Sequence, residues 1–279
     1  MRKASVWGLL LACALLLVSP ALGADSAPVS ASLEPGYHEM YNLNFDDAHQ
    51  FFQSWEASHP NDALGPISNA AAYLFAEFDR LHILESDLFT NDDLFTKRKK
   101  LSPDPQTRDA FNRGLARGEA IAGRVLATSP HDINALFAKA MANGLRGNYA
   151  AMIEKHNLAG LNYMKTGRAV AQQLLALDAN YYDAYLAVGL ENYLLGLNSA
   201  PVRWVLRMGG AQTNKDDGIA KLRVTAEKGH YLGPYARLLL AVAALRDHDR
   251  QTARRLLSGL ADEFPHNQLY RNELARLQP

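Results

Sequence analysis

Residues Leu177–Gly196 read LDANYYDAYLAVGLENYLLG. A turn signal, Asp178-Ala179-Asn180, stands at the front, and a glycine closes the stretch. Between them small residues, aromatics and leucines recur at three- and four-residue steps, the spacing of one helix face. Such a stretch suits the core of an enzyme, a membrane segment or one unit of a repeat. Whether the pattern returns elsewhere in the chain decides among them.

It does return. Just upstream, GRAVAQQLLALDAN places Gly167, Ala171, Leu174 and Ala179 at successive steps of four, three and five. FDDAHQFFQSWEASHPND puts Ala48, Phe52, Trp55 and Pro60 at the same steps. GLARGEAIAGRVLATSPHD repeats them with Gly118, Ala122, Val125 and Pro130, and RQTARRLLSGLADEFPHN with Ala253, Leu257, Leu260 and Pro265. A small residue lets two helices approach, and the larger apolar residues beyond it fill the groove between them. Proline just past the helix prevents continuation, and the polar pair after it caps the next one. Strand signals are scarce, so the chain is predicted to be all-α.

Each turn is followed by a companion helix. After Pro60, NDALGPISNAAAYLF carries Ala70 and Tyr73; after Pro130, HDINALFAKAMANGL carries Leu136 and Ala140. After Ala179 come Tyr185, Val188, Gly189, Asn192 and Tyr193. These alternating helices resemble the tetratricopeptide repeat, with aromatic, aliphatic-glycine and aromatic positions in the first helix and alanine, aromatic and proline in the second. The resemblance runs from about Tyr41 onward. It implies a right-handed superhelix of antiparallel helix pairs, about four or five of them. The turns are unevenly spaced against a repeat of roughly 34 residues, so long inter-repeat insertions are expected. They fall near ESDLFTNDDLFTKRKKLSPDPQ, around GNYAAMIEKHNLAG, and where DDGIAKLRVTAEKGHYLG adds a helix stopped at Gly229. The order of YDAYLAVGLENYLLG, PVRWVLRMGG and GIAKLRVTAEKG also resembles exported bacterial repeat proteins. More distantly it is similar to the eukaryotic Iml2-type repeat family, a likeness that carries no functional expectation.

The first residues, MRKASVWGLLLACALLLVSPALGADS, read as a signal peptide. Arg2 and Lys3 precede an apolar run from Val6 to Val18, and Ala21-Leu22-Gly23 offers a cleavage site. The run is shorter than the roughly 20 apolar residues of a transmembrane helix. The expected organisation is a leader over 1–23, a linker over 24–40 and a repeat domain over 41–279. Export to a bacterial periplasm or the medium follows from that leader. The alternative is a lipoprotein anchored at Cys13, since Leu10-Leu11-Ala12-Cys13 loosely matches a lipidation box. Cys13 is the single cysteine, so a cleaved chain has no disulfide and no thiolate site. The 29 basic and 29 acidic residues of the full sequence balance, which argues against nucleic acid as a partner. Lys97-Arg98-Lys99-Lys100 follows Asp92 and Asp93 and reads as a solvated loop.

Motifs for chemistry fail on their spacing. His38-Glu39 begins like a zinc-protease helix, but Asn42 stands where the second histidine is required. GLNYMKTG lacks the glycine directly before Lys165 and no strand precedes it, so it builds no phosphate loop. No G-x-S-x-G occurs. Asp46-Asp47 and Asp216-Asp217 sit where helices start, and there they complement the helix dipole. No catalytic residue, metal or cofactor is expected. The alternative in another class is an all-α hydrolase acting on polysaccharide or peptide, which needs two facing carboxylates about 5–10 Å apart.

In tetratricopeptide arrays the first helices line the concave face. By phase, the inward residues here are Leu64, Ile67, Ala71, Phe137, Met141, Leu186, Leu190, Tyr193, Tyr235, Leu238 and Val242. They form either an apolar groove for a peptide or helix, or plain core covered by inserts or terminal helices. SAPVRWVLRMGG is the second surface candidate: Arg203, Trp204 and Arg207 lie on a short amphipathic piece that either packs against the array or meets a partner or an anionic membrane. The expected function is an exported module for protein–protein interaction or scaffolding. Its partner is a protein or peptide, met through Phe137, Met141, Leu186, Leu190, Tyr193, Arg203, Trp204 and Arg207. Membrane association is expected only through a lipidated Cys13 or the Trp204 helix.

Overall fold

The computed structural model describes residues 32–84, 101–198 and 213–277. The leader with Cys13, the basic run at Lys97–Lys100 and the Arg203-Trp204-Arg207 segment lie outside the described residues. The described residues contain no strand and form eleven α-helices. They are α1 (Glu34–Tyr41), α2 (Phe45–Ser58), α3 (Leu64–Arg80), α4 (Pro105–Thr128), α5 (Ile133–Asn148), α6 (Asn157–Leu177), α7 (Tyr185–Gly196), α8 (Lys215–Lys228), α9 (Gly233–Arg246), α10 (Arg250–Glu263) and α11 (Gln268–Arg276). Each packs on the next along the whole succession.

Two kinds of connector alternate. The even helices α2, α4, α6, α8 and α10 leave on His59, Ser129, Asp178, Gly229 and Phe264, each with positive ψ. A side-chain oxygen then takes up a free amide of the next turn. Asp62 accepts from Leu64 N at 2.9 Å, Asp132 from Ala135 N at 2.8 Å and Asn267 from Leu269 N at 3.0 Å. By contrast, α1, α3 and α9 end in left-handed residues, Leu43, His82 and His248, with φ of 64°, 53° and 61°. The next amide reaches back to the carbonyl of Glu39, Phe78 and Ala244 respectively, which closes the helix end. An L-residue pays a steric cost in this conformation and glycine does not. His248→Gly is therefore expected to raise the unfolding free energy by about 0.5–1 kcal/mol. Urea denaturation measures this, and a loss of stability would mean that the exposed imidazole makes a contact worth more than the strain.

The aligned positions of the sequence fall on the packing seams. Ala48, Ala122, Ala171, Leu174, Ala253 and Leu260 are all fully buried at 0 % exposure. Helix α8 holds a further copy in Gly218, Leu222 and Thr225, also buried. There α7 and α8 meet backbone to backbone: a Cβ on Gly218 would lie 2.5 Å from Tyr193 N and 2.8 Å from Gly189 O. The extra length expected around GNYAAMIEKHNLAG goes mostly into helix. A single π-helical turn, Tyr149–Ile153, links α5 to the 21-residue α6.

Of the stretch expected as a linker over 24–40, the described part from Glu34 onward is packed helix instead. The body begins at Leu33, and Pro35 in the first turn starts α1, where its missing N–H costs nothing. Tyr37, Met40 and Tyr41 of α1 are no more than 3 % exposed. Tyr37 stacks on Tyr231 with ring centroids 5.0 Å apart, and its hydroxyl lies 2.8 Å from Ser68 Oγ. The same helix reaches the far end of the chain. Tyr41 donates its hydroxyl to Tyr231 O at 2.9 Å, Asn267 Nδ2 donates to Tyr41 O at 2.8 Å, and His266 N donates to Asn42 Oδ1 at 2.9 Å. The succession of helices is thus closed through its first member.

Candidate binding cavity

The stretch at Leu177–Gly196 sends consecutive side chains of α7 to different neighbours. Glu191, with 0 % side-chain exposure, pairs with Arg168 of α6, its Oε2 lying 2.9 Å from Nε. Asn192 Nδ2 donates to Asp217 of α8. On the remaining face Leu186, Leu190 and Tyr193 border a cavity of about 590 Å³. Helices α1, α3, α5, α7 and α9 all contribute to its wall, and of the even helices only α6 does so among the described residues.

Most of the residues expected on the inner face are brought together here. Ala71, Phe137, Met141, Leu186, Leu190, Tyr193, Tyr235 and Val242 line the cavity. Leu64, Ile67 and Leu238 do not; they are buried in packing between helices, Ile67 against Gly118 of α4. The wall also contains residues for which the sequence held no spacing signal. Tyr37, Met40 and Tyr41 of α1 form a buried end, and Gly160 and Met164 of α6 a flank. Met40, Met141, Met152 and Met164, every methionine among the described residues, border the space. Thioether side chains are flexible and polarisable, so such a wall adapts to the shape of what it holds. The mouth lies at the other end, where the lining includes exposed Asn157 and Leu194, the latter 42 % exposed.

Polar groups in the wall are few and mostly satisfied. Besides the Tyr37 and Tyr41 hydroxyls, the buried Asp183 carboxylate accepts three backbone amides: His230 N at 2.9 Å, Tyr231 N at 3.1 Å and Leu232 N at 2.8 Å. This clamp ties the start of α7 to the start of α9. Burial still pushes the Asp183 carboxyl above the usual range, against the pull of the three amides. Asp183 is the one acidic residue among the described lining residues, whereas paired-carboxylate hydrolysis needs a second facing it. The exception to satisfaction is Tyr193. It is 4 % exposed, and its hydroxyl is buried without a hydrogen-bond partner. Burial pushes that hydroxyl up to about 12, and the positive charge of Arg246, also in the cavity wall, pulls it back.

No protein-family model matches the chain, and no curated protein is significantly similar to it. Among the described residues no group of three or more histidine, cysteine, aspartate or glutamate side chains is placed to hold a metal ion. Nor is any described helix long and apolar enough to cross a membrane.

Proposed function

We propose that this is an exported protein of tetratricopeptide-like helix pairs, wound as a right-handed superhelix, that acts by non-covalent binding and uses the cavity as its site. The observation that carries this reading is the shared wall: α3, α5, α7 and α9, the alternate helices of the succession, all turn a face to one apolar space. The alternation of two connector types supports the pairing, and the leader pattern at residues 1–23 supports export. A partner helix needs a channel about 10–12 Å across, yet α1 already occupies one end of the inner face. The space that is left falls within the roughly 300–1,000 Å³ of small-molecule sites. The occupant is accordingly an apolar chain held inside the cavity. A second reading, a protein partner seated across the mouth, is favoured by Leu194 of the wall, 42 % exposed, and by Leu158, 80 % exposed and next in sequence to the lining residue Asn157.

Gly144 supplies the test. It lines the cavity, and a Cβ added there would meet nothing within 4 Å. A leucine at this position therefore grows into the space without a clash, and removing a mid-helix glycine favours the helix by up to about 1 kcal/mol. The neutral dye N-phenyl-1-naphthylamine is expected to bind saturably to the wild type. Gly144→Leu should weaken that binding by about tenfold or more, since about 1.4 kcal/mol of lost contact suffices for it. Gly123→Leu, in equally open space on exposed α4, should change nothing. Absence of saturable binding, or equal binding by both variants, refutes the cavity as the site. For the mouth reading, Leu158→Asp should abolish capture of a protein partner and leave dye binding intact.

A further inference from the structure

The cavity has a direction and a depth. Along one side it follows the α5–α6 pair, from Phe137 to Asn148 on α5 and from Gly167 back to Asn157 on α6, a run of about 15 Å at the helical rise. Four glycines line this side, Gly144 and Gly147 on one helix and Gly160 and Gly167 on the other. At two of them the backbones nearly touch, since a Cβ on Gly160 would lie 3.2 Å from Gly147 O. No side chain interrupts the track at these positions. At its inner end stands α1. The Tyr37 hydroxyl lies 3.7 Å from Met141 Sδ of α5, and the same residue is fixed by its stack on Tyr231 and its bond to Ser68. Met40 and Tyr41 complete this end at 1 % and 3 % exposure, with the Tyr41 hydroxyl held by the Tyr231 carbonyl. The outer end opens at exposed Asn157.

Inside that depth the wall favours hydrocarbon. Only Asp183 and Arg246 among the described lining residues carry charge, and the Asp183 oxygens accept three backbone amides. The hydroxyls of Tyr37 and Tyr41 are committed. That of Tyr193 is sealed from the space, its ring packing with Leu222, Leu240 and Ala243. A polar group drawn past them would lose its water without a replacement partner. A chain of methylenes loses nothing there, and each one buried strengthens binding by about fourfold. The depth of about 15 Å is half of a bilayer's roughly 30 Å hydrocarbon core, the share that one lipid chain fills. We infer that the cavity is a slot for one lipid alkyl chain, entered tail first along the glycine track and stopped by α1. It selects its ligand by chain length and leaves the head group outside in water. This rests on the cavity being the binding site and adds what fills it and what limits it.

Two homologous series, n-alkyl carboxylates and n-alkyltrimethylammonium salts, test the slot by displacing N-phenyl-1-naphthylamine below their micelle-forming concentrations. In both, each added methylene should lower the concentration needed by about fourfold, up to a break at roughly 12–16 carbons where the depth is filled. Beyond the break longer chains should gain nothing. At equal length the two heads, opposite in charge, should differ by less than about fivefold. Met40→Ala sets the inner end back and should move the break to chains about two methylenes longer. If that variant does not fold, Met141→Ala, which faces Tyr37 at the same end, makes the same test. Leu194→Ala, at the mouth, should leave the break where it is. A break that stays put in a folded inner-end variant, affinity that climbs without a break or ignores chain length, or a larger head preference overturns the slot, with the cavity still shown by saturable dye binding. If the dye itself does not bind saturably, the cavity reading fails and this one with it.

Discussion

Glu191→Ala should destabilise the protein by about 3–5 kcal/mol, the cost of stranding a buried arginine. Glu191 has 0 % and Arg168 14 % side-chain exposure, so water cannot solvate the guanidinium once its partner is gone. The pair also joins α6 to α7 at the middle of the succession, where loss of register would spread to both sides. Chemical denaturation of the single variants and of Arg168→Met combined with Glu191→Leu completes the cycle. The double replacement should recover most of the loss, since an apolar pair of similar volume avoids the desolvation of both charges. A single-variant cost below about 1 kcal/mol, the level of an exposed pair, would show that the site is wet.

The second large effect is expected at Asp183. Asp183→Ala leaves the amides of His230, Tyr231 and Leu232 without their acceptor. At about 1–3 kcal/mol for a stranded buried donor, the total should reach about 3 kcal/mol or more. Asp183→Asn should cost less, about 1–2 kcal/mol, because Oδ1 keeps Tyr231 and Leu232 while the new amide nitrogen opposes His230 N. The pH dependence has a definite sign. Burial raises the folded carboxyl above its ordinary value of 3.8. Its contribution is therefore complete below that value and is lost as pH rises through the raised one. The stability gap between wild type and Asp183→Asn should narrow on going from pH 3 toward neutrality, measured by urea unfolding at each pH. A widening gap would mean that the three amides outweigh burial.

What could be read in the residues differs by connector and by helix. Proline turns at Pro60, Pro130 and Pro265 mark where even helices stop, because proline leaves a trace in composition. The left-handed ends at Leu43, His82 and His248 carry no such trace, since the usual glycine is missing from each. The copy in α8 was hidden for a similar reason: Thr225 and His230 occupy the steps where the other copies have an apolar residue and a proline or alanine. On α5, α7 and α9 the repeat resemblance together with helical phase selects Phe137, Met141, Leu186, Leu190, Tyr193, Tyr235 and Val242 of the cavity wall, and with them Leu238, which packs between helices instead. Helix α1 was not legible. At eight residues it is too short for a periodic signal, and its place is set by contacts with residues far along the chain. The Glu191–Arg168 pair likewise depends on two helices meeting at one height, which spacing within either helix does not encode.

The closure through α1 bears on how the polypeptide is made. Tyr41 and Asn267 are bonded across 226 positions of sequence. At translation speeds of about 5–20 residues per second, that separation is an interval on the order of ten seconds or more. Tyr37 lacks its stacking partner until Tyr231 is made, and Tyr41 waits longer still for Asn267, so α1 finds its full shelter late. A solenoid can accumulate order unit by unit from its leading end; this chain completes the shelter of α1 only once its tail has been made.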